Sequence, residues 1–176
     1  VYFTDRALES AVRAELHKPF GPLTQQDLLS VISLDARNLG IRDLSGIEYC
    51  KNLAWLDLDT NAVSNLRPLE QLGRPESPFD SPLTYLNLDS NQITDIVPLA
   101  GLLNLRQLSL FDNQVADIQA LVTNAENGGL GPGDSVILDA ATLNERAINV
   151  DIPTLLAFGV NVTAAVEAGD TDTESR

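Results

Sequence analysis

Leu83-Thr84-Tyr85-Leu86-Asn87-Leu88-Asp89-Ser90-Asn91-Gln92-Ile93-Thr94-Asp95 decides how this chain folds, because its spacing returns on either side. Leu53, Leu56, Leu58, Asn61 and Val63 precede it in the same frame; Leu105, Leu108, Leu110, Asn113, Val115 and Asp117 follow 22 residues later. A fixed period of that length marks a repeat architecture, in which each unit buries its apolar face only against the next. Weaker copies flank these three. Upstream stand Val31, Leu34, Ala36, Leu39, Ile41 and Asp43, with Leu39 at the asparagine position; downstream stand Val136, Leu138, Ala141 and Leu143, with Ala141 there. Terminal repeats have one stacking neighbour and are expected to be atypical, so residues 31–143 read as about five coils.

Each coil has a physical reading. The LxL step alternates with period two, which predicts a short strand with leucines inward and the intervening residues outward. Strands of successive coils then stack into a parallel sheet. An asparagine side chain carries both an acceptor and two donors, so Asn61, Asn91 and Asn113 are predicted to form a ladder that satisfies buried backbone groups where the chain leaves the strands. Pro68 and Pro98 argue against long helices on the far side and favour short helical or 3₁₀ turns.

The ends read differently from the middle. In residues 1–30, Leu8, Ala11, Val12 and Leu16 recur at helical spacing, with Thr4 or Asp5 as N-cap and Gly21-Pro22 as a stop; Thr24 and Asp27 resemble a capping box opening a second helix. In residues 144–162, Asn144 caps a helix through Ala147, a second helix runs from Ile152-Pro153 to Phe158, Gly159 is a C′ residue, and Val160, Asn161 and Val162 form a last edge strand. Residues 163–176 are small, polar or acidic and are expected to be a disordered tail or linker. Residues 73–82 and the glycine-rich 122–134 interrupt the period and read as variable loops.

Composition narrows the function classes. The 176 residues match one domain, with 44% apolar residues to fill a continuous core. No apolar run approaches the roughly 20 residues of a membrane span, so membrane insertion is not expected. The first residues lack the pattern of a signal peptide, which is therefore expected to be absent or already removed. Eleven lysines and arginines stand against 25 acids, net −14. Such a field repels phosphate backbones and argues against nucleic acid. It favours a neutral or basic partner, or simply keeps the domain soluble. Cys50 is the single cysteine and occupies the frame position of Leu72 and Leu102, so it reads as a small buried core residue. His17, the single histidine, falls near the end of the first helix, where its dipole accounts for it. With no GxSxG, HExxH, Walker loop or Cys/His pair, no enzymatic activity and no cofactor are expected.

The coil ending Ile93-x-Asp95-x-x-Pro98-Leu99-x-x-Leu102 resembles the bacterial internalin-like class of leucine-rich repeats, also seen in protein-phosphatase regulators. The stretches LExAVRAEL from Leu8 and LTxxDLxxVxxLDA from Leu23 resemble the N-terminal cap of such proteins, and GLGPGDSVIL with IPTLLAFGVNV resembles their C-terminal end. The matches cover residues 3–162. The resemblance implies an α/β solenoid: a right-handed leucine-rich repeat superhelix with a curved parallel β-sheet, a helical N-terminal cap and an α/β C-terminal cap. It also implies a protein-interaction module that binds on the concave sheet face, as part of a larger secreted or cell-surface protein.

The frame names that face. Outward positions carry Ser33, Trp55, Tyr85, Gln107 and Ser135 in one row, Asp35, Asp57, Asn87, Ser109 and Ile137 in the next, and Arg37, Asp59, Asp89, Phe111 and Asp139 in a third. With strands about 4.8 Å apart, Trp55 and Tyr85 become side-by-side aromatics among Asp57, Asp59 and Asp89. Exposed aromatics within a patch are what binding hot spots use, and flanking acids set the partner's charge. The expected partner-binding residues are thus Trp55, Asp57, Asp59, Tyr85, Asn87, Asp89, Gln107, Ser109, Phe111, Asp35 and Arg37. Three other readings stand beside this one. The rings can serve only cross-strand packing, they can stack a carbohydrate, or the domain can be a structural spacer. The paired carboxylates raise a Ca²⁺ site, but Arg37 beside Asp59 neutralises them and no DxDxDG loop is present, so no metal is expected. A monomer is expected, with the edge strands leaving a dimer open.

Overall fold

The computed structural model describes residues 1–72 and 83–165. The insertion expected at 73–82 and the tail beyond 165 lie outside the described residues. Six strands, β1 (Ser33–Asp35), β2 (Trp55–Asp57), β3 (Tyr85–Asn87), β4 (Gln107–Ser109), β5 (Ser135–Asp139) and β6 (Asn161–Ala165), form one sheet in chain order. All neighbours are parallel, and the register pairs Ser33 with Trp55, Trp55 with Tyr85, Tyr85 with Gln107, and Gln107 with Ser135. Residues in frame in the sequence are therefore neighbours in space.

Between strands the chain returns through short turns of helix: a 3₁₀ turn at Ile47–Tyr49, α3 (Arg67–Glu70), a 3₁₀ turn at Val97–Leu99 and α4 (Gln119–Glu126). Pro68 and Pro98 sit in their first turns, where a missing N–H costs nothing. The side chains of Asn65, Asp95 and Asp117 each accept from the backbone N–H two residues on, at 3.1, 2.9 and 2.8 Å. This fixes the bend into each return and gives the last acid of the repeat its role. Leu34, Leu56, Leu86, Leu108 and Val136, one per coil, are buried in a single stacked row. Each such side chain contributes about 2 kcal/mol of burial, and truncation to alanine costs about 2–5 kcal/mol.

The polar ladder is continuous. Asn91 Nδ2 donates to the carbonyls of Leu58, Leu88 and Asp89 at 2.9, 3.1 and 2.9 Å, and its Oδ1 accepts from Val63 N at 2.9 Å. Asn113 repeats this one coil on, donating to Leu88 at 2.8 Å and accepting from Ile93 N at 3.0 Å. Asn61 accepts from both Leu39 and Ile41 N–H groups, which explains why Leu39 needs no polar side chain of its own. At the other end Ala141 brings no amide, and the Thr142 hydroxyl donates instead to Val115 O at 2.8 Å and Asp139 O at 3.1 Å. Thr60, Ser90 and Asp112, immediately before the three rungs, and Asn38, before Leu39 in the same frame, take φ of 51–56°, a left-handed turn repeated in each coil.

The ends depart from expectation in four places. α1 (Arg6–Glu15) starts at Asp5, whose Oδ1 accepts from Ala7 N, but it stops at His17 in the left-handed region, ahead of Gly21-Pro22. Its chain reverses there because the N–H of Lys18 and His17 bond back to Arg13 and Ala14 carbonyls. The segment 122–134 is not all loop: α4 runs through its first half, where Val122, Asn124 and Ala125 are buried. Asn124 Oδ1 accepts from Leu130 N at 2.8 Å, and a Cβ on Gly129 would lie 2.2 Å from that oxygen, so the glycine admits the bond. Asn144 does cap a helix, accepting from Ala147 N at 2.8 Å, but the two expected helices are one continuous segment. A π-helical stretch, Ala147–Asp151, joins α5 (Ile152–Ala157) directly. Pro153 lacks an N–H, and its ring crowds the preceding turn, which a widened turn relieves. Lastly, β6 extends to Ala165, so Thr163, Ala164 and Ala165 belong to the sheet rather than to a tail.

α2 (Gln25–Leu28) has the predicted capping box, with Thr24 Oγ1 accepting from Asp27 N and Asp27 Oδ2 accepting from Thr24 N. Leu8, Val12 and Leu28 are fully buried, so both N-terminal helices extend the core past β1.

Candidate partner-binding face

The outward rows converge on the pair the frame brings together. Trp55 and Tyr85, both half-buried, stack with ring centroids 5.0 Å apart and planes 10° from parallel. Their separation is set by strand spacing, so the rings stand upright and each covers one face of the other. Such contacts contribute about 0.5–1.5 kcal/mol beyond area burial.

Carboxylates surround the pair, though not all as expected. Asp57 is 4% exposed, which corrects the reading of it as a solvent-facing contact. Within its row Asp57 alone is buried, while Asp35 and Ile137 are exposed, and its Oδ1 accepts from Asp59 N at 3.0 Å. Asp57 therefore fixes the backbone at Asp59 rather than offering a free carboxylate to a partner. Arg37 does not neutralise Asp59 first: it grips Asp35 with two bonds, Nε to Oδ1 at 2.9 Å and an Nη2 to Oδ2 at 2.7 Å, and reaches Asp57 only at 3.8 Å. That fork holds the Asp35 carboxyl below its ordinary range and raises Arg37 further.

On the C-terminal side, Asn87 Oδ1 accepts from Asp89 N at 3.0 Å. Asp89 Oδ1 accepts from Ser109 Oγ at 2.5 Å and Phe111 N at 2.8 Å. Burial pushes the Asp89 carboxyl up, and the charges of Asp59 and Asp57 add to it, against those two hydrogen bonds. Burial likewise raises the Tyr85 phenol, with Asp57 and Asp89 contributing. Phe111 and Ser109 are half-buried and Gln107 is exposed.

Beyond Tyr85 the face drops into a notch of about 190 Å³ whose lining includes Tyr85, Gln107, Ser109, Ser135 and Ile137. The sequence reading put Ser135 and Ile137 in the right rows but left them out of the site; the signal for them was the same frame that found Trp55. A larger cleft of about 650 Å³ lies at the N-terminal edge of this face, between α1 and β1, lined by Ala7, Ala11, Ala14, Leu34, Asp35 and Leu39. It has no aromatic lining.

Residues 83–123 match the family model of leucine-rich repeats in two copies. An internalin (InlF) of Listeria monocytogenes superposes at a TM-score of 0.65 over 93% of this chain with 24% identity. This chain spans 57% of that structure's length. A plant ice-binding protein superposes at 0.50 over 69% of this chain and 37% of its own, with 20% identity. Internalin C2 of Listeria monocytogenes covers 93% of this chain and 94% of its own at 25% identity, but at a TM-score of 0.40, too loose to argue from.

Proposed function

The chain is a leucine-rich repeat solenoid of internalin-like fold, and from that premise we propose that it is a non-catalytic module that binds a protein partner on the open face of its sheet, around Trp55 and Tyr85. The observation that carries this reading is the stacked pair itself. A single tryptophan and one of three tyrosines are placed on the outer face, where they add little to the core and leave apolar ring surface at the centre of a polar field. Large, stiff aromatic groups in such a setting contribute most of the energy of protein interfaces. The surrounding acids direct the module to a neutral or basic surface, and a net charge of −14 steers it away from nucleic acid. The setting is a secreted or cell-surface protein of which this domain is one part, acting as a monomer. Among the described residues no helix is long and apolar enough to cross a membrane.

A carbohydrate is the second reading, since the stack leaves one face of each ring for a sugar to lie on. The test is capture of partners from the relevant medium by the wild type and by Trp55→Ala with Tyr85→Ala. The expected result is loss of capture with a thermal midpoint lowered by no more than a few degrees, the scale of about 1 kcal/mol. Undiminished capture, or a double variant that unfolds, overturns the proposal. Saturable quenching of Trp55 by a glycan would move the assignment to carbohydrate.

A further inference from the structure

Tyr85 presents one ring face to Trp55, and its other side looks toward Gln107, the next residue of the row. There the notch of about 190 Å³ opens. It is too small for an element of secondary structure and suited to one long side chain. Asp89 lies at its edge, with Oδ1 fixed by Ser109 and Phe111, so its carboxylate is oriented before anything binds. Asp57 and Asp59 add to the negative field around it, and Arg37, beyond the aromatic pair, is tied up by Asp35.

Resting on the partner-binding reading above, we infer that this notch receives a single cationic side chain of the partner, arginine in preference to lysine, laid against the free face of Tyr85 with its charge on Asp89. The chemistry is complementary at each wall. A guanidinium stacks on an aromatic face and bonds a carboxylate through a planar fork, whereas a lysine ammonium is more strongly hydrated and fits only the charge. Gln107, Ser109 and Ser135 carry oxygens that can accept the remaining N–H groups. An apolar side chain would bury Asp89 further without compensation, and an anionic one would meet Asp89 within the field of Asp57 and Asp59. Burial already disfavours the charged form of Asp89, which is the condition a bound cation relieves.

The single tryptophan, stacked on Tyr85, reports occupancy directly. The probes are the pentapeptides Gly-Gly-Arg-Gly-Gly and its lysine, citrulline and glutamate counterparts. The arginine peptide is expected to change Trp55 emission saturably and to shift the amide resonances of Gln107 and Ser109; citrulline and glutamate peptides should bind at least about tenfold more weakly. Asp89→Asn keeps an acceptor for Ser109 and Phe111, so the fold is retained, but it should weaken the arginine peptide by about tenfold or more. Asp112→Asn, an exposed acid on the neighbouring turn, should leave it unchanged. Equal responses to arginine and citrulline, an unaffected Asp89→Asn variant, or no response to the arginine peptide overturns the inference. If the Trp55/Tyr85 double variant loses its partner while the arginine peptide is silent, the face binds but the notch is not a cation site. If that variant keeps its partner, the reading of the face itself has failed.

Discussion

In each of the three central coils one asparagine bonds at least four backbone groups, and its side-chain oxygen accepts an N–H of the turn before. Asn91 is 5% exposed and touches the carbonyls of Leu58, Leu88 and Asp89 and the amide of Val63. Asn91→Ala removes all four bonds and lets no side chain replace them. Its cost should be about 3 kcal/mol or more by urea unfolding, against about 0.5 kcal/mol for the exposed Gln92→Ala. These rungs were legible in the sequence because they recur at one frame position and an amide there can both donate twice and accept. Two polar groups doing similar work were not. Thr142 stands one place out of frame, and Asn124 lies inside a helix in a segment that breaks the period, so neither repeats and neither can be found by counting. Cys50 was legible from the same frame: it is fully buried in the position of Leu72 and Leu102, and burial pushes its thiol up to about 12.

Local signals located the terminal elements better than they located element ends. The capping box at Thr24 and the C′ glycine at Gly159 are short, directional hydrogen-bond patterns, and the chain uses both, Val160 N bonding back to Leu155 O at 3.1 Å. What such patterns miss is tertiary pairing: β6 extends to Ala165 because Ile137, Leu138 and Asp139 offer it partners, and nothing in Thr163-Ala164-Ala165 announces that. The α2 cap also carries a pH signature. Asp27 bonds the Lys18 ammonium first and the Thr24 hydroxyl and amide next, and its carboxyl is held well below the ordinary value. A depressed folded value means the contribution is complete above the unfolded value of about 4 and fades as pH falls through the lower folded one. Asp89 works in the opposite sense, since its raised carboxyl favours folding progressively as protons bind. The stability gap between wild type and Asp27→Asn, followed by urea midpoints across pH, should therefore be widest above pH about 4 and narrow steadily as pH falls below that.

For the molecule as a whole, periodicity carried the architecture: it placed every strand of the repeats and told inward from outward. It could not carry burial within the outer face. Asp57 is outward by count yet covered, because the bulk of its neighbours, rather than its phase, decides what water reaches. A net charge of −14 acts at this scale too. If the partner surface is basic, its association rate with this domain should fall steeply between about 0.05 and 0.5 M salt while the dissociation rate changes little, as stopped-flow mixing would show. The direction of the amide ladder has a last consequence. Asn61, Asn91 and Asn113 each accept from an N–H of the turn before their own, never the turn after. Every winding is thus completed by its successor, so a chain cut short within the repeats strands the amides of its final winding, and synthesis from the N-terminus finishes each layer only when the next one arrives.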